Sequence, residues 1–242
     1  MIIKKMEGFS IAEVIVCLAI VGIIAAMTIP VMAFDVYERI TVSRLIKFQS
    51  TMTNAYKMLR SIYGPPEDWP EYQNQTASTR DHSIFIRRLQ PFLKIMYDCG
   101  SGNNTNSLCL NKSKYHNING TLTNNIIPSY YDIVLADGTS VMFMSRYLGN
   151  ESESNKKSLG VLYVDLNGPK GPNKWGYDLF EFAITNDQIL PRSLENKLND
   201  RQILNECINT MGYGCSAWVV LKHNIDYRRC PDDLRLGFDS CL

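Results

Sequence analysis

The residues that could do chemistry fall into three sets: a group of distal cysteines, a turn dense in side-chain oxygens, and a single carboxylate set in an apolar run. Six of the seven cysteines, Cys99, Cys109, Cys207, Cys215, Cys230 and Cys241, lie well beyond the N-terminal region, and Cys17 stands apart. An even set without a C-x-x-C pair points to disulfides rather than to zinc. Fifteen pairings are possible. Nearest-neighbour pairing (Cys99 with Cys109, Cys207 with Cys215, Cys230 with Cys241) is the simplest, each bond closing a short loop worth about 2–3 kcal/mol. The histidines, His82, His116 and His223, are scattered. They match no metal-ligand spacing such as H-E-x-x-H, and no nucleophile elbow, Walker loop or dinucleotide-binding glycine motif occurs. Asp132, Asp137 and Asp165 lie near strand ends, where turn chemistry accounts for them. No catalytic residue is assigned, and the chain reads as a non-enzyme.

The oxygen-rich turn is Asp165-Leu166-Asn167-Gly168 and its continuation to Asp178. Glycines and prolines crowd the segment, so it must turn sharply. Its D-x-N-G start is that of a calcium loop, with Asp165, Asn167 and Asp178 as possible ligands. It departs from the EF-hand pattern, because Pro169 takes the fifth position and Gly176 the twelfth, where a bidentate Glu belongs. Asx side chains capping turns by local hydrogen bonds are the commoner use of such residues. No other cofactor is expected.

The lone carboxylate is Glu13. The chain opens MIIKKMEG, then Phe9, then an apolar run from Ile11 to Phe34 in which Glu13 is the one charge. A helix needs ~20 residues to cross the bilayer core, and a carboxylate within such a span costs ~2.5 kcal/mol or more. Ser10 and Glu13 also spell a capping box, S-x-x-E, which satisfies amides at a helix start. A secretory signal peptide would carry a shorter apolar core, ~7–15 residues, and a small-residue cleavage site. Lys4 and Lys5 before the span place the N-terminus in the cytoplasm and the remainder outside, where disulfides persist.

Gly8-Phe9-Ser10-Ile11-Ala12-Glu13 resembles the processing site of type IV prepilins and type II secretion pseudopilins. The resemblance covers roughly the first quarter of the chain. It implies cleavage after Gly8 by a prepilin peptidase, methylation of Phe9, and pairing of Glu13 with the N-terminal amine of a neighbouring subunit in a filament. Pro30 fits the family's helix-bending proline. The implied partners are other pilin or pseudopilin subunits, the peptidase, an inner-membrane assembly platform and the lipid bilayer. The implied location is the bacterial inner membrane, single pass, and then a cell-surface or periplasmic filament.

The elements that must carry these residues can be read from periodicity. Val36, Ile40, Ile46, Met52, Ala55, Met58, Leu59 and Ile62 recur at three- and four-residue spacing, and Gly64-Pro65-Pro66 ends the pattern. One helix from about Ile11 to about Tyr63 would be on the order of 80 Å long, bent at Pro30. Ser83–Met96 reads as a shorter helix interrupted at Pro91, and 98–125 as a surface loop. Asp137-Gly138 between two apolar runs predicts a hairpin. Leu159–Asp165 and Leu179–Ile184 add two strands, Leu198–Met211 a helix, and Ser216–Leu221 a short apolar element. The result is an α+β, pilin-like layout: leader 1–8, membrane or filament-core helix 9–34, exposed helix 35–63, and a head over 64–242 with an antiparallel sheet packed on the helix and disulfide-tied loops.

A net charge of +1 without a basic tract gives nucleic acid no electrostatic footprint. The expectation is a prepilin-like structural subunit, of the minor kind given the size of the head. The alternative is a membrane-anchored module whose head binds a glycan, surface or exported protein through Trp69, Trp175, Tyr177 and Trp218.

Overall fold

The computed structural model describes residues 10–73, 81–102, 108–110, 115–123, 130–145 and 159–241. It divides into two units, residues 1–40 and 41–242. The helix α1, Ile11–Tyr63, contributes to both.

In the first unit, α1 continues through Pro30. Proline has no N–H to offer the carbonyl four residues back. Thr28 Oγ1 bonds the Ile24 carbonyl at 3.0 Å just before it. None of the apolar window here is buried, and α1 is long and apolar enough to cross a membrane.

In the second unit, α1 is a different kind of helix. Leu45, Phe48, Met52, Ala55, Tyr56 and Leu59 are buried, a stripe at three- and four-residue spacing that faces a core. The stripe packs on a six-stranded antiparallel sheet in sequential order: β1 Ile95–Ser101, β2 Tyr131–Leu135, β3 Ser140–Ser145, β4 Gly160–Asp165, β5 Leu179–Ile184 and β6 Ile189–Pro191. Two-residue periodicity and the register Tyr131–Phe143–Leu162–Phe182 place these side chains on one face. Phe182 meets Phe48 of α1 at 5.2 Å between ring centroids. Phe143 stacks on Phe85 of the short helix α3, Ser83–Leu89, at 4.9 Å. Tyr56 Oη donates to the Thr185 carbonyl at 2.9 Å, and Arg44 to that of Leu166 at 2.8 Å. The turn around α2, Pro70–Gln73, is held by Trp69 Nε1, which donates to the Tyr63 carbonyl.

The other face holds Asp132, Met142, Tyr163 and Glu181 in one row and Ser140, Asp165 and Leu179 in the next. It too is covered. Leu110, Tyr115, Tyr130, Met142, Val161, Tyr163, Trp175 and Leu179 form a second core cluster. Behind it lie α4, Asp200–Ile208, and α5, Cys215–Lys222, with α6, Pro231–Arg235, near the chain end. Hence β4 and β5 are buried at every position, as strands covered on both faces are.

The coarse α+β layout, the long apolar helix, the antiparallel sheet and the hairpin at Asp137-Gly138 agree with the sequence reading. The three disulfides join Cys99–Cys109, Cys207–Cys215 and Cys230–Cys241. Three details differ. The helix expected over Ser83–Met96 ends at Leu89, passes into a 3-10 turn at Gln90–Phe92, and Ile95 begins β1. Pro91 accounts for this: it cannot continue a helix interior, and the residue before it is pushed from helical geometry. The loop assigned over 98–125 therefore overlaps β1, which runs on to Ser101. Strand β6 was not foreseen; it is three residues long, closed by Pro191 at a sheet edge where proline is tolerated.

Candidate functional site

Two places in the molecule collect the residues singled out by sequence, one in each unit. Gly8 and Phe9 lie outside the described residues. The first site is the start of α1. Ser10 N–H and Ser10 Oγ–H both donate to Glu13 Oε2 at 2.8 Å. The Glu13 N–H reaches Ser10 Oγ at 3.3 Å. This is the reciprocal capping box. Around it the side chains are apolar and exposed: Ile11 at 81%, Ile15 at 60% and Leu18 at 65%. Cys17 is a free, exposed thiol among them.

The second site is the turn between β4 and β5. Asp165 is buried at the end of β4. Its Oδ2 accepts the Tyr115 hydroxyl at 2.7 Å and its Oδ1 the Asn167 N–H at 3.0 Å. Asp178, also buried, accepts the N–H of Asn173 at 2.8 Å and of Lys174 at 2.7 Å. Burial and repulsion from Asp178 push the Asp165 carboxyl well above the usual carboxylate range. Burial raises Asp178 as well. The Tyr115 phenol is driven up by burial and by the charge of Asp165. Asn167 Nδ2 donates to the Gly171 carbonyl at 3.2 Å. Asn173 sits at φ 51°, a left-handed position that Asn tolerates.

The sequence-selected trio is thus gathered in one turn, and every carboxylate oxygen in it accepts a donor that shapes the loop. Two further oxygens, Asn167 Oδ1 and Asn173 Oδ1, are buried without a hydrogen-bond partner. Calcium takes six to eight oxygen ligands, and an oxygen set of two carboxylates and two orphaned amide oxygens fits that chemistry. Asp165, Asp178, Asn167 and Asn173 are the residues that would hold the ion. When bound it would neutralise two acids whose charged forms burial disfavours. Asn173 was missed by motif reading; its signal was an Asn directly after Gly-Pro, where a turn residue with positive φ is wanted.

Two other acids turn out to be structural. Asp137 pairs with Lys47 at 2.9 Å and accepts the Thr139 N–H within the hairpin turn. Glu181, an acid in the otherwise apolar strand β5, is paired with Arg192 at 2.6 Å, and Glu195 approaches the same guanidinium at 3.4 Å. That ion-pair group was not anticipated, although an isolated Glu in Leu-Phe-Glu-Phe-Ala-Ile is a visible anomaly. His82 Nδ1 accepts the Ser145 N–H at 3.0 Å, and His223 caps α5 at φ 58°. Trp69, Trp175 and Trp218 are buried. Of the aromatics proposed as contacts, Tyr177 alone stays partly open, between Arg228 and Lys174, whose charged groups lie 3.7 and 4.4 Å from its ring centre. A cleft of about 610 Å³ along α4 is lined by Asn199, Arg201, Gln202, Asn205, Glu206 and Arg235 among others.

No protein-family model, curated protein or solved structure matches the chain.

Proposed function

We propose that the chain is a prepilin-like structural subunit. It is inserted with its basic leader in the cytoplasm, cut after Gly8 by a prepilin peptidase, and passed through an inner-membrane assembly platform. It then joins other subunits in a type IV pilus or type II secretion pseudopilus, as a minor component. The observation that carries this reading is one carboxylate, Glu13, five residues beyond Gly8 at the head of a helix whose apolar side chains are unburied. Lipid satisfies those side chains but not the acid. A neighbouring subunit's N-terminal amine satisfies the acid, while packed helices bury the apolar surface. Ionised groups leave water at acceptable cost only when paired and hydrogen-bonded. The three disulfides support an extracytoplasmic head.

N-terminal mass analysis of sheared surface material tests the reading. A mature chain beginning at Phe9 is expected. Glu13→Ala is expected to be cut normally but to drop out of the filament. Normal incorporation of Glu13→Ala removes the pairing role, and an uncut wild-type chain kept in the membrane favours a tethered binding module instead.

A further inference from the structure

We infer that Cys230–Cys241 is a redox-operated strap: a dithiol opens this bond in the folded head, and opening frees the segment 231–241, with α6, from the wall of the α4 cleft. The device uses the head alone, so it goes beyond the filament reading and does not need it. The three disulfides are unlike in burial. Cys99, Cys109, Cys207 and Cys215 are buried, whereas Cys230 and Cys241 are both half-buried. A thiolate can therefore reach the last bond without unfolding the head. Exposed disulfides are the more readily reduced ones. A second feature acts on the same bond. Arg229 Nε lies 3.1 Å from Cys241 Sγ. A guanidinium beside a sulfur favours its thiolate and makes it the better leaving group. Asp226 has a carboxylate oxygen within 4.8 Å of both sulfurs, and its charge would oppose a thiolate. That charge is already engaged: Arg229 Nη2 donates to Asp226 Oδ1 at 3.0 Å and the Cys241 N–H to Oδ2 at 2.9 Å.

The chemistry balances with one co-reactant, a protein dithiol of the oxidoreductase class. One of its thiolates attacks Cys230 Sγ. The Sγ–Sγ bond breaks, and its electron pair leaves on Cys241 Sγ, beside Arg229. The second thiolate of the reductant attacks the mixed disulfide and releases Cys230. Two electrons and two protons pass to the cysteines, and the dithiol becomes a disulfide. What lets go next depends on how little else holds the segment. Between Pro231 and Cys241 only Leu234 is buried, and Leu236 and Phe238 are exposed. Other ties are polar. Asn224 Nδ2 donates to the Asp239 carbonyl at 2.8 Å, and Lys222 Nζ lies 2.7 Å from the Asp239 carboxylate. Ion pairs with an exposed partner contribute little. Arg235 of α6 donates to Asn209 of α4 at 3.3 Å and lines the cleft. Opening the bond returns the loop entropy that a disulfide removes, and that wall of the cleft goes with it. Cys207–Cys215, which joins α4 to α5, is buried and stays closed.

The test uses the full chain in detergent, with dithiothreitol as the dithiol. Samples are quenched with an alkylating reagent over time, and each cysteine is read by peptide mass. Cys230 and Cys241 are expected to be alkylated together, about ten-fold faster than the four buried cysteines, while the head still melts cooperatively. Hydrogen exchange of this partly reduced chain should be faster over 231–241 and unchanged in the sheet. Arg229→Gln should slow the opening about three-fold. Arg229→Lys keeps the charge and should open at close to the wild-type rate. A thermal melt of each variant shows that its head is folded, and the wild-type time course decides the strap whether or not the variants fold. Loss of all three bonds together, or earlier loss of a buried one, overturns the inference. So does unchanged exchange over 231–241 after the bond has opened. An Arg229→Gln chain that opens as fast as wild type overturns the part given to the guanidinium.

Discussion

Residues 11–40 and 41–63 belong to one helix and use the same kinds of side chain, yet they meet opposite fates. Ile11, Leu18 and Met27 are exposed at 81, 65 and 72%; Leu45, Met52 and Leu59 are at 0%. The difference lies in what the rest of the chain offers. Beyond Thr41 a sheet presents Phe143, Leu162 and Phe182 to the helix. Before it, among the described residues, the apolar window of the helix is unburied, a surface that lipid or packed subunits would cover under the function proposed above. Burial of apolar area is the main favourable term in both cases, but only in the second unit is it collected on folding. The contrast predicts that a chain begun at Thr41 is a detergent-free, cooperatively melting monomer, whereas the full chain needs detergent or lipid. Gel filtration and a thermal melt check this. Aggregation of the shortened chain would show that residues 11–40 are needed to complete the head.

A pair of single substitutions sharpens the same comparison. Phe182→Ala removes a fully buried ring that meets Phe48 and should cost the head about 3–5 kcal/mol. Ile20→Ala removes an exposed side chain and should leave head stability within about 0.5 kcal/mol, while weakening membrane or filament retention. Denaturant unfolding of both variants in detergent is the measurement. Equal losses would mean that the two stretches share one folding unit.

The parts of this architecture that could be read in advance are those governed by local rules. The bounds of α1 follow from an unbroken apolar pattern and the stop at Gly64-Pro65-Pro66. The β2–β3 hairpin follows from Asp137-Gly138, whose glycine sits at φ 83°. Short loops between neighbouring cysteines made the observed pairing the simplest one. What could not be read depends on distant contacts. Ile95 and Met96 continue a helical spacing, but Pro91 and pairing with β2 make them strand. The expectation of an antiparallel sheet packed on the helix left out the second layer, because Tyr115, Trp175 and Tyr213 reach it from loops far apart in sequence. At the turn, Asp165 and Asp178 were legible as turn acids, whereas their burial and the orphaned oxygen of Asn173 are consequences of packing.

That turn supplies the smallest and most specific contrast with the first unit: there an acid is exposed and bonded by one residue, here acids are buried and crowded. The native Asp165 carboxyl titrates above its unfolded value because of burial and the nearby Asp178. The folded state therefore binds this proton more readily than the unfolded state does. The contribution is most favourable below the ordinary carboxylate range and declines as pH rises through the unfolded pKa toward the raised native one. Asp165→Asn keeps the shape and one acceptor but removes the charge, so it should flatten this part of the profile and gain on wild type toward neutral pH. If the turn takes calcium, the ion should act in the same direction on wild type alone. It should raise the melting temperature most at neutral pH, least in acid, and leave Asp165→Asn unmoved, since binding to the native state stabilises by mass action. Melts of the head at several pH values, with calcium and with chelator, check both halves. Parallel profiles for wild type and Asp165→Asn would show that Asp165 is not the titrating group. A calcium response that survives in Asp165→Asn would place the ion elsewhere.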